Sequence, residues 1–513
     1  MKKIIFCVLL LIVLIGQQSC NKKLDELNLS YQPLSPANID IDAGQWKPLL
    51  AVADSFPVPA PVATATSVYA AELNEIKSWQ RNITDQQRQI IKYWSAGSVL
   101  RWNEILRELV AKHNIPPYQK DDGTYPFPSA TNPFAYPVFP FSNPPYAARA
   151  YAYVSAAQYD ALVATWHYKK LYNRSAPYKI DSSINALIPK SDLPSYPSED
   201  GAVIGATVEL MKLLFPADLS YIEQKADENR LYRIIGGANV RSEMEAGEAL
   251  GKAVAQKFTA RARTDRAGAA IGTSVLWAQL ETQTAATGET PWISQESPKR
   301  PPMLPLFGKV KTFLFDSAAL ISIRPPAPPS TKSAQFKTEL DEVMHYSKNP
   351  TTERMKIVQF WADGINTYTP PGHWNTIAAD EFVKNNFSEV RWARNFALLN
   401  MAMMDAAIAC WDTKYLYFNP RPSQVNPNIK TLTGLPNFPS YTSGHSTFSG
   451  AASTILGYII PSKATMFNNM ANEASISRLY GAIHYRSDIE QGLLCGQRVG
   501  AFAVARAKTD GAD

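Results

Sequence analysis

The chain has 513 residues, of which 45% are hydrophobic, 11% aromatic and 19% charged. That is enough apolar matter for a large buried core, and it excludes disordered, collagen-like and coiled-coil classes. The formal charge of +6 is small for this length and spread along it, so no nucleic-acid partner is expected, and 38 prolines against 25 glycines predict helices joined by stiff loops rather than a hairpin-rich β protein.

Residues 1–19 read as a signal peptide: Lys2 and Lys3, an apolar run from Ile4 to Ile15 too short to span a bilayer, then small or polar residues. Cys20, followed by Asn21, Lys22 and Lys23, resembles the acylated cysteine of bacterial lipoproteins. The resemblance implies a periplasmic or cell-surface protein, lipid-anchored to a bacterial membrane through Cys20, with residues 20–67 as a polar tether. Cleavage nearby without acylation would leave a soluble periplasmic protein. No later segment is apolar and long enough to cross a bilayer, so the membrane is a partner only through that anchor. Cys410 and Cys495 fall in apolar helical patterns and are expected as buried thiols, not a disulfide.

From residue 68 to 113 apolar residues recur at helical spacing, with Trp94 and Trp102 among them. Two Pro-rich loops, 115–145 and 295–330, are expected either as walls or lids of a site or as packing against the helices. The strongest organisational signal is an internal repeat with an offset of 245 residues. Ala148-Arg149 falls on Ala393-Arg394, Asp160 on Asp405, Trp166 on Trp411, Lys169 on Lys414, Pro177 on Pro422, Arg233 on Arg478 and Gly247 on Gly492. The predicted fold is all-α, two related helical bundles, with a degenerate copy at 68–294, a connecting loop at 295–334 and a site-bearing copy at 335–513.

The copies differ where chemistry is expected. The second holds Lys414, Arg421-Pro422, a PSYTSGH string ending at His445, then Ser477-Arg478, His484 and Asp488. In the first, Lys169, Ser198 and Arg233 survive, but Ala176 answers Arg421, Glu199 answers Gly444, Asp200 answers His445 and Asn239 answers His484. Lys414, Arg421 and Arg478 supply three cations for an oxyanion. Ser443 and Gly444 precede a helical run, so their backbone N–H groups would point at the same anion. His484 can attack or ligate its central atom, and His445 can donate or remove a proton. If 477–488 is one helix, Ser477, His484 and Asp488 share a face and Asp488 can fix the tautomer of His484.

These motifs, Lys-x6-Arg-Pro, Pro-Ser-x-x-Ser-Gly-His and Ser-Arg-x5-His-x3-Asp, resemble the superfamily that joins type 2 phosphatidic acid phosphatases, bacterial acid phosphatases and vanadium-dependent haloperoxidases. The longer string FPSYTSGHSTFSGA, Trp411 three residues before Lys414, and FWADG at 360–364 with TPPGHWN at 369–375 are similar to the haloperoxidase branch. That resemblance implies vanadate as cofactor, with vanadium on His484 and the oxygens held by Lys414, Arg421, Ser443, Gly444, Arg478 and Trp411. It implies an Asp363–Arg478 pair, His445 as acid–base, and hydrogen peroxide and halide as substrates. Phe438 matches a position that is Phe in chloroperoxidases, and His373 is expected to line the mouth or cap a helix. Two alternatives stay open: an acid phosphatase acting on a phosphate ester through a phosphohistidine at His484, with phosphate in the same site, and a non-enzymatic oxyanion-binding lipoprotein.

Overall fold

The computed structural model describes residues 31–115, 142–297 and 299–512. The segment expected as a signal peptide, Cys20 and most of the 115–145 loop lie outside the described residues. Within them the regular structure is helical, without strands. Shorter turns aside, α1 (Ser67–Arg81), α2 (Asp85–Trp94) and α3 (Ser98–His113) lead into α4 (Pro144–Tyr172), α5 (Glu199–Leu214), α6 (Leu219–Ile235) and α7 (Arg241–Thr264), followed by α8 (Ser274–Ala286). Beyond the Pro-rich connection come α9 (Ala334–Lys348), α10 (Thr352–Phe360) and α11 (Thr369–Asn385), then α12 (Glu389–Tyr417), α13 (Gly444–Ile459), α14 (Ala464–Tyr480) and α15 (Arg486–Ala507). Helices α4, α5 and α6 map onto α12, α13 and α14 at both ends with the repeat offset, and α7 and α15 share its start. The repeating unit thus begins at Pro144 and Glu389, and α1–α3 and α9–α11 lie outside it.

Both copies are built with the same devices. Ser198 and Ser443 cap α5 and α13 by accepting the N–H groups of Gly201 and Ser446. Arg149 pairs with Asp265 at 2.7 Å as Arg394 pairs with Asp510 at 2.8 Å. Buried Asp160 accepts the N–H groups of Leu49, Leu50 and Ala51, and buried Asp405 those of Phe313 and Leu314. Each carboxyl pins a strap that precedes its bundle, which corrects the expectation of a polar tether over 20–67: among the described residues of that segment, Ala43, Trp46, Ala51, Phe56 and Val58 are buried in the core. Where α5 meets α7 and α13 meets α15 the backbones touch: a Cβ on Gly251 would lie 2.0 Å from the Ala202 carbonyl, and one on Gly496 2.1 Å from that of Thr447.

Helices α4 and α12 are buried over most of their circumference, which their apolar sequences allow. They pack on one another, and Asn400 Nδ2 comes within 3.4 Å of Ser155 Oγ, its own repeat counterpart. One hydrophobic core runs through both copies. Cys410 and Cys495 are buried free thiols, as expected. No helix among the described residues is long and apolar enough to cross a membrane.

Candidate active site

The predicted residues converge at one end of the second copy. Lys414 lies in the last turn of α12, Arg421 just beyond it, His445 in the first turn of α13 and Arg478 in the last turn of α14. One expectation is corrected here: residues 477–488 are not a single helix. Helix α14 stops at Tyr480, Ala482 adopts a left-handed φ of 58°, and α15 starts at Arg486. His484 therefore sits in the turn. It still meets Asp488, because Asp488 occupies the third position of α15 and its carboxylate reaches back to the Tyr485 N–H at 3.0 Å and to His484 Nδ1 at 2.8 Å.

That carboxylate also accepts the Ser440 hydroxyl at 2.5 Å. With Nδ1 donating to Asp488, Nε2 of His484 is the lone-pair nitrogen, and it accepts from Arg421 Nη1 at 3.0 Å. Burial, then the charges of Arg421, Lys414 and Arg478, hold the His484 pKa well below that of a free imidazole. The ring is neutral at neutral pH, the form in which it can ligate or attack.

The three cations are buried together. Burial lowers Lys414 to about 7, and Arg421 and Arg478 each to about 10. Lys414 Nζ donates to the carbonyls of Pro439 and Ser440 at 2.7 and 2.9 Å. Arg421 gives Nε to the Phe438 carbonyl and Nη1 to that of Ile483, while its buried Nη2 has no partner. Phe438 underlies both cations, its ring centroid 4.8 Å from Lys414 Nζ and 5.0 Å from the Arg421 guanidinium carbon. In front of Gly444 the space is open: a Cβ there would meet only Phe448 at 3.8 Å and Trp411 at 3.9 Å. Buried cations, an unpaired guanidinium N–H and an open helix N-terminus fit a tetrahedral oxyanion.

Three assignments made by resemblance are placed differently. Ser443 gives its N–H to the Asp488 carbonyl at 2.9 Å, and its Oγ caps α13 by accepting the Ser446 N–H, which leaves its hydroxyl hydrogen for an anion, while Gly444 supplies a free backbone N–H at this helix end. Trp411 Nε1 donates to the Met303 carbonyl at 3.1 Å while its ring lines the cavity. Asp363 is bonded by His373, whose Nδ1 lies 3.0 Å from Oδ1, and not by Arg478, which senses its charge but gives its own N–H groups to Ser477 Oγ and the Val358 carbonyl. His445 Nε2 faces Asp363 Oδ2 at 3.8 Å and has no hydrogen-bond partner. Sequence reasoning missed Ser440, although it stands inside the PSYTSGH string.

His484, His445, Arg478 and Gly444 open into a cavity of about 690 Å3 whose walls include Phe438, Trp411, Ile365 and Leu435. Glu296, Arg300 and Met303 contribute from the 295–330 loop, which is a wall of the site as one of the two expectations had it.

Residues 395–511 match the PAP2 superfamily. The chain is similar to a structure described as the first bacterial vanadium-dependent iodoperoxidase, with 26% identity and a TM-score of 0.59 over 80% of this chain and 96% of that one. It also resembles a holo-type bacterial vanadium-dependent chloroperoxidase, at 14% identity and a TM-score of 0.50 over 72% of this chain and 94% of that one, a likeness of fold. Among curated proteins none matches.

Proposed function

We propose that this chain, whose residues 395–511 belong to the PAP2 superfamily, is a vanadate-dependent haloperoxidase that oxidises halide with hydrogen peroxide. The observation that carries the reading is the neutral, carboxylate-anchored His484 beside three buried cations and the open Gly444 helix end. Similarity to the bacterial iodoperoxidase supports it. When bound, vanadate would supply a Lewis-acidic centre that activates peroxide. His484 Nε2 is the nitrogen that would hold vanadium, and Lys414, Arg421, Arg478 and the Gly444 N–H would hold its oxygens. Asp488 keeps Nδ1 protonated so that Nε2 stays a ligand atom. His445 would move the proton in the overall conversion of halide, hydrogen peroxide and one proton into hypohalous acid and water. The hydrophobic cavity wall limits water around these charges and strengthens them.

The test is a paired assay on one preparation: bromide oxidation by peroxide with a halogen acceptor, and hydrolysis of a phosphate monoester, each with and without vanadate. Vanadate should switch on the first and suppress any of the second, because one cradle must hold either anion. Fast ester hydrolysis without halide oxidation at any vanadate concentration would assign the site to the phosphatase chemistry, and neither activity with bound anion present would leave an oxyanion-binding protein.

We further propose that the chain is lipid-tethered at Cys20 outside the cytoplasmic membrane, on the sequence pattern alone. Cys20→Ser should move it from the membrane to the soluble fraction on cell fractionation, and a variant that stays wholly membrane-bound would overturn this.

A further inference from the structure

Asp363 stands in the turn between α10 and α11, held by backbone rather than by chance. Asp363, Asn366 and Thr369 adopt left-handed φ values of 44°, 61° and 66°, and Asn114 Nδ2 clips the turn by donating to the carbonyls of Gly364 and Thr367. Two imidazoles approach the carboxylate. His373 Nδ1, from the first turns of α11, lies 3.0 and 3.2 Å from its two oxygens, and His445 Nε2, from α13, lies 3.8 Å from Oδ2. The His373 ring is fixed by aromatics, tilted on Trp361 at 4.6 Å and edge-on to Phe360 at 4.9 Å. Among the described residues Asp363 is its only hydrogen-bond partner.

We propose that His373 is a positioning residue for the proton step: its Nδ1–H anchors Asp363 so that Oδ2 stays aimed at the otherwise unpartnered Nε2 of His445. The proposal rests on His445 being the group that moves the proton. The carboxylate can accept from His373 and receive a proton-bearing His445 Nε2 at the same time, since each oxygen has spare lone pairs. Without the anchor, Asp363 is free to turn toward Arg478, whose charge it already senses, and a protonated His445 keeps only the Trp361 and Ala362 carbonyls as acceptors and loses its one counter-charge. A purely structural His373 would only fill the space between Trp361 and Phe360, which a phenylalanine also fills.

His373→Phe, His373→Asn and Asp363→Asn separate the two roles. The primary readout is the ring 15N spectrum of His445 in protein free of vanadate, so it does not depend on which reaction the site runs. In H373F the His445 Nε2 resonance should shift, and in H373N, where the amide Nδ2 stands in for Nδ1, it should return toward wild type. D363N should move the His373 and His445 signals together. With vanadate present, H373F should lower kcat for halide oxidation about tenfold, the scale of groups that orient a site residue. KM for halide and affinity for inorganic phosphate in the vanadate-free protein should stay within about twofold, because the anion cradle is untouched. An unshifted His445 resonance in H373F, or an H373N as impaired as H373F, overturns the proposal. If H373F does not fold, a D363N spectrum in which only one histidine moves overturns it equally. Shifted spectra without halide oxidation in the wild type would instead indict the haloperoxidase reading and leave the shared carboxylate standing.

Discussion

The same frame carries two pockets, and in the first, a cavity of about 330 Å3, the cations are already paired with the chain's own carboxylates. At the position of Gly444 the first copy has Glu199, whose carboxylate accepts Trp166 Nε1 at 2.8 Å and Lys169 Nζ at 2.9 Å. At the position of His445 it has Asp200, which takes Arg233 Nε at 3.2 Å and the hydroxyls of Ser98 and Tyr232, each at 2.6 Å. Ala176 removes the guanidinium of Arg421, and Asn239 with Glu243 replaces His484 with Asp488, keeping the bond to the serine in place. Cations that in the second copy wait for an anion are in the first already paired with side chains. The comparison teaches that an oxyanion cradle is inherited with the bundle, whereas availability depends on what the two residues at the helix N-terminus do, Glu199 on Lys169 and Asp200 on Arg233.

The largest expected effects test that statement in the second copy. Gly444→Glu should recreate the first copy's plug, its carboxylate reaching Trp411 Nε1 and Lys414 Nζ, with room for the Cβ already present. Phosphate and vanadate binding and all turnover should be lost while thermal unfolding stays near wild type. Lys414→Ala should cost about 10²–10³ in kcat, typical of a lost charge-stabilising donor, whereas Lys169→Ala should leave kcat within about twofold. Equal losses from the two lysines would mean that the roles of the halves are misassigned.

Much of this was legible in the sequence, because a repeat aligned with itself exposes which positions changed type. The correspondence of the two copies, the set Lys414, Arg421, Arg478, His445 and His484, and the substitution of Glu199 for Gly444 all follow from it. What the sequence could not supply were contacts across long separations. Asp363 and His373 are only ten residues apart, yet nothing in FWADG and PPGHW says that the carboxylate prefers His373 to Arg478, since that depends on the left-handed turn between α10 and α11. The break at Ala482 was hidden because the residues around it carry a helical spacing that α14 and α15 each satisfy separately. The repeated straps were hidden for another reason: Gly44 and Gly308 abut equivalent residues, His167 and Asp412, but their own spacing differs from that of the bundles.

A middle-sized effect is expected on stability in the first copy. The Lys169 and Glu199 side chains are only 4% and 14% exposed, so Glu199→Gln strands a buried ammonium. Breaking such a pair on one side costs about 3 kcal/mol. Denaturant unfolding should show that loss with kcat in the second copy unchanged. A stability unaffected by Glu199→Gln would mean that the carboxylate is not the counter-ion the pocket is built around.

The smallest effect concerns the seam where the copies meet. Glu389, the first residue of α12, has no counterpart in the first copy, where Pro144 stands, and its carboxyl accepts the Val99 N–H at 2.5 Å. Burial raises its pKa from 4.5 to about 8, with the charges of Asp200 and Glu199 adding to the effect and Arg233 opposing it. The unfolded chain releases this proton near pH 4.5 and the folded chain holds it until about 8, so Glu389 destabilises the fold progressively as pH rises through that window and by a constant amount above it. Glu389→Gln keeps an oxygen for Val99 and removes the titration. Its melting temperature should match wild type near pH 4.5 and exceed it at pH 8 by about 2 °C or more, since each kcal/mol moves the midpoint of a chain this long by about 1 °C and so large a rise in pKa is worth about 2 kcal/mol or more. Because part of the effect comes from Glu199, the gain should shrink in a Glu199→Gln background. A difference in melting temperature that does not change with pH would show that Glu389 is not held protonated beside the carboxylates of the first pocket.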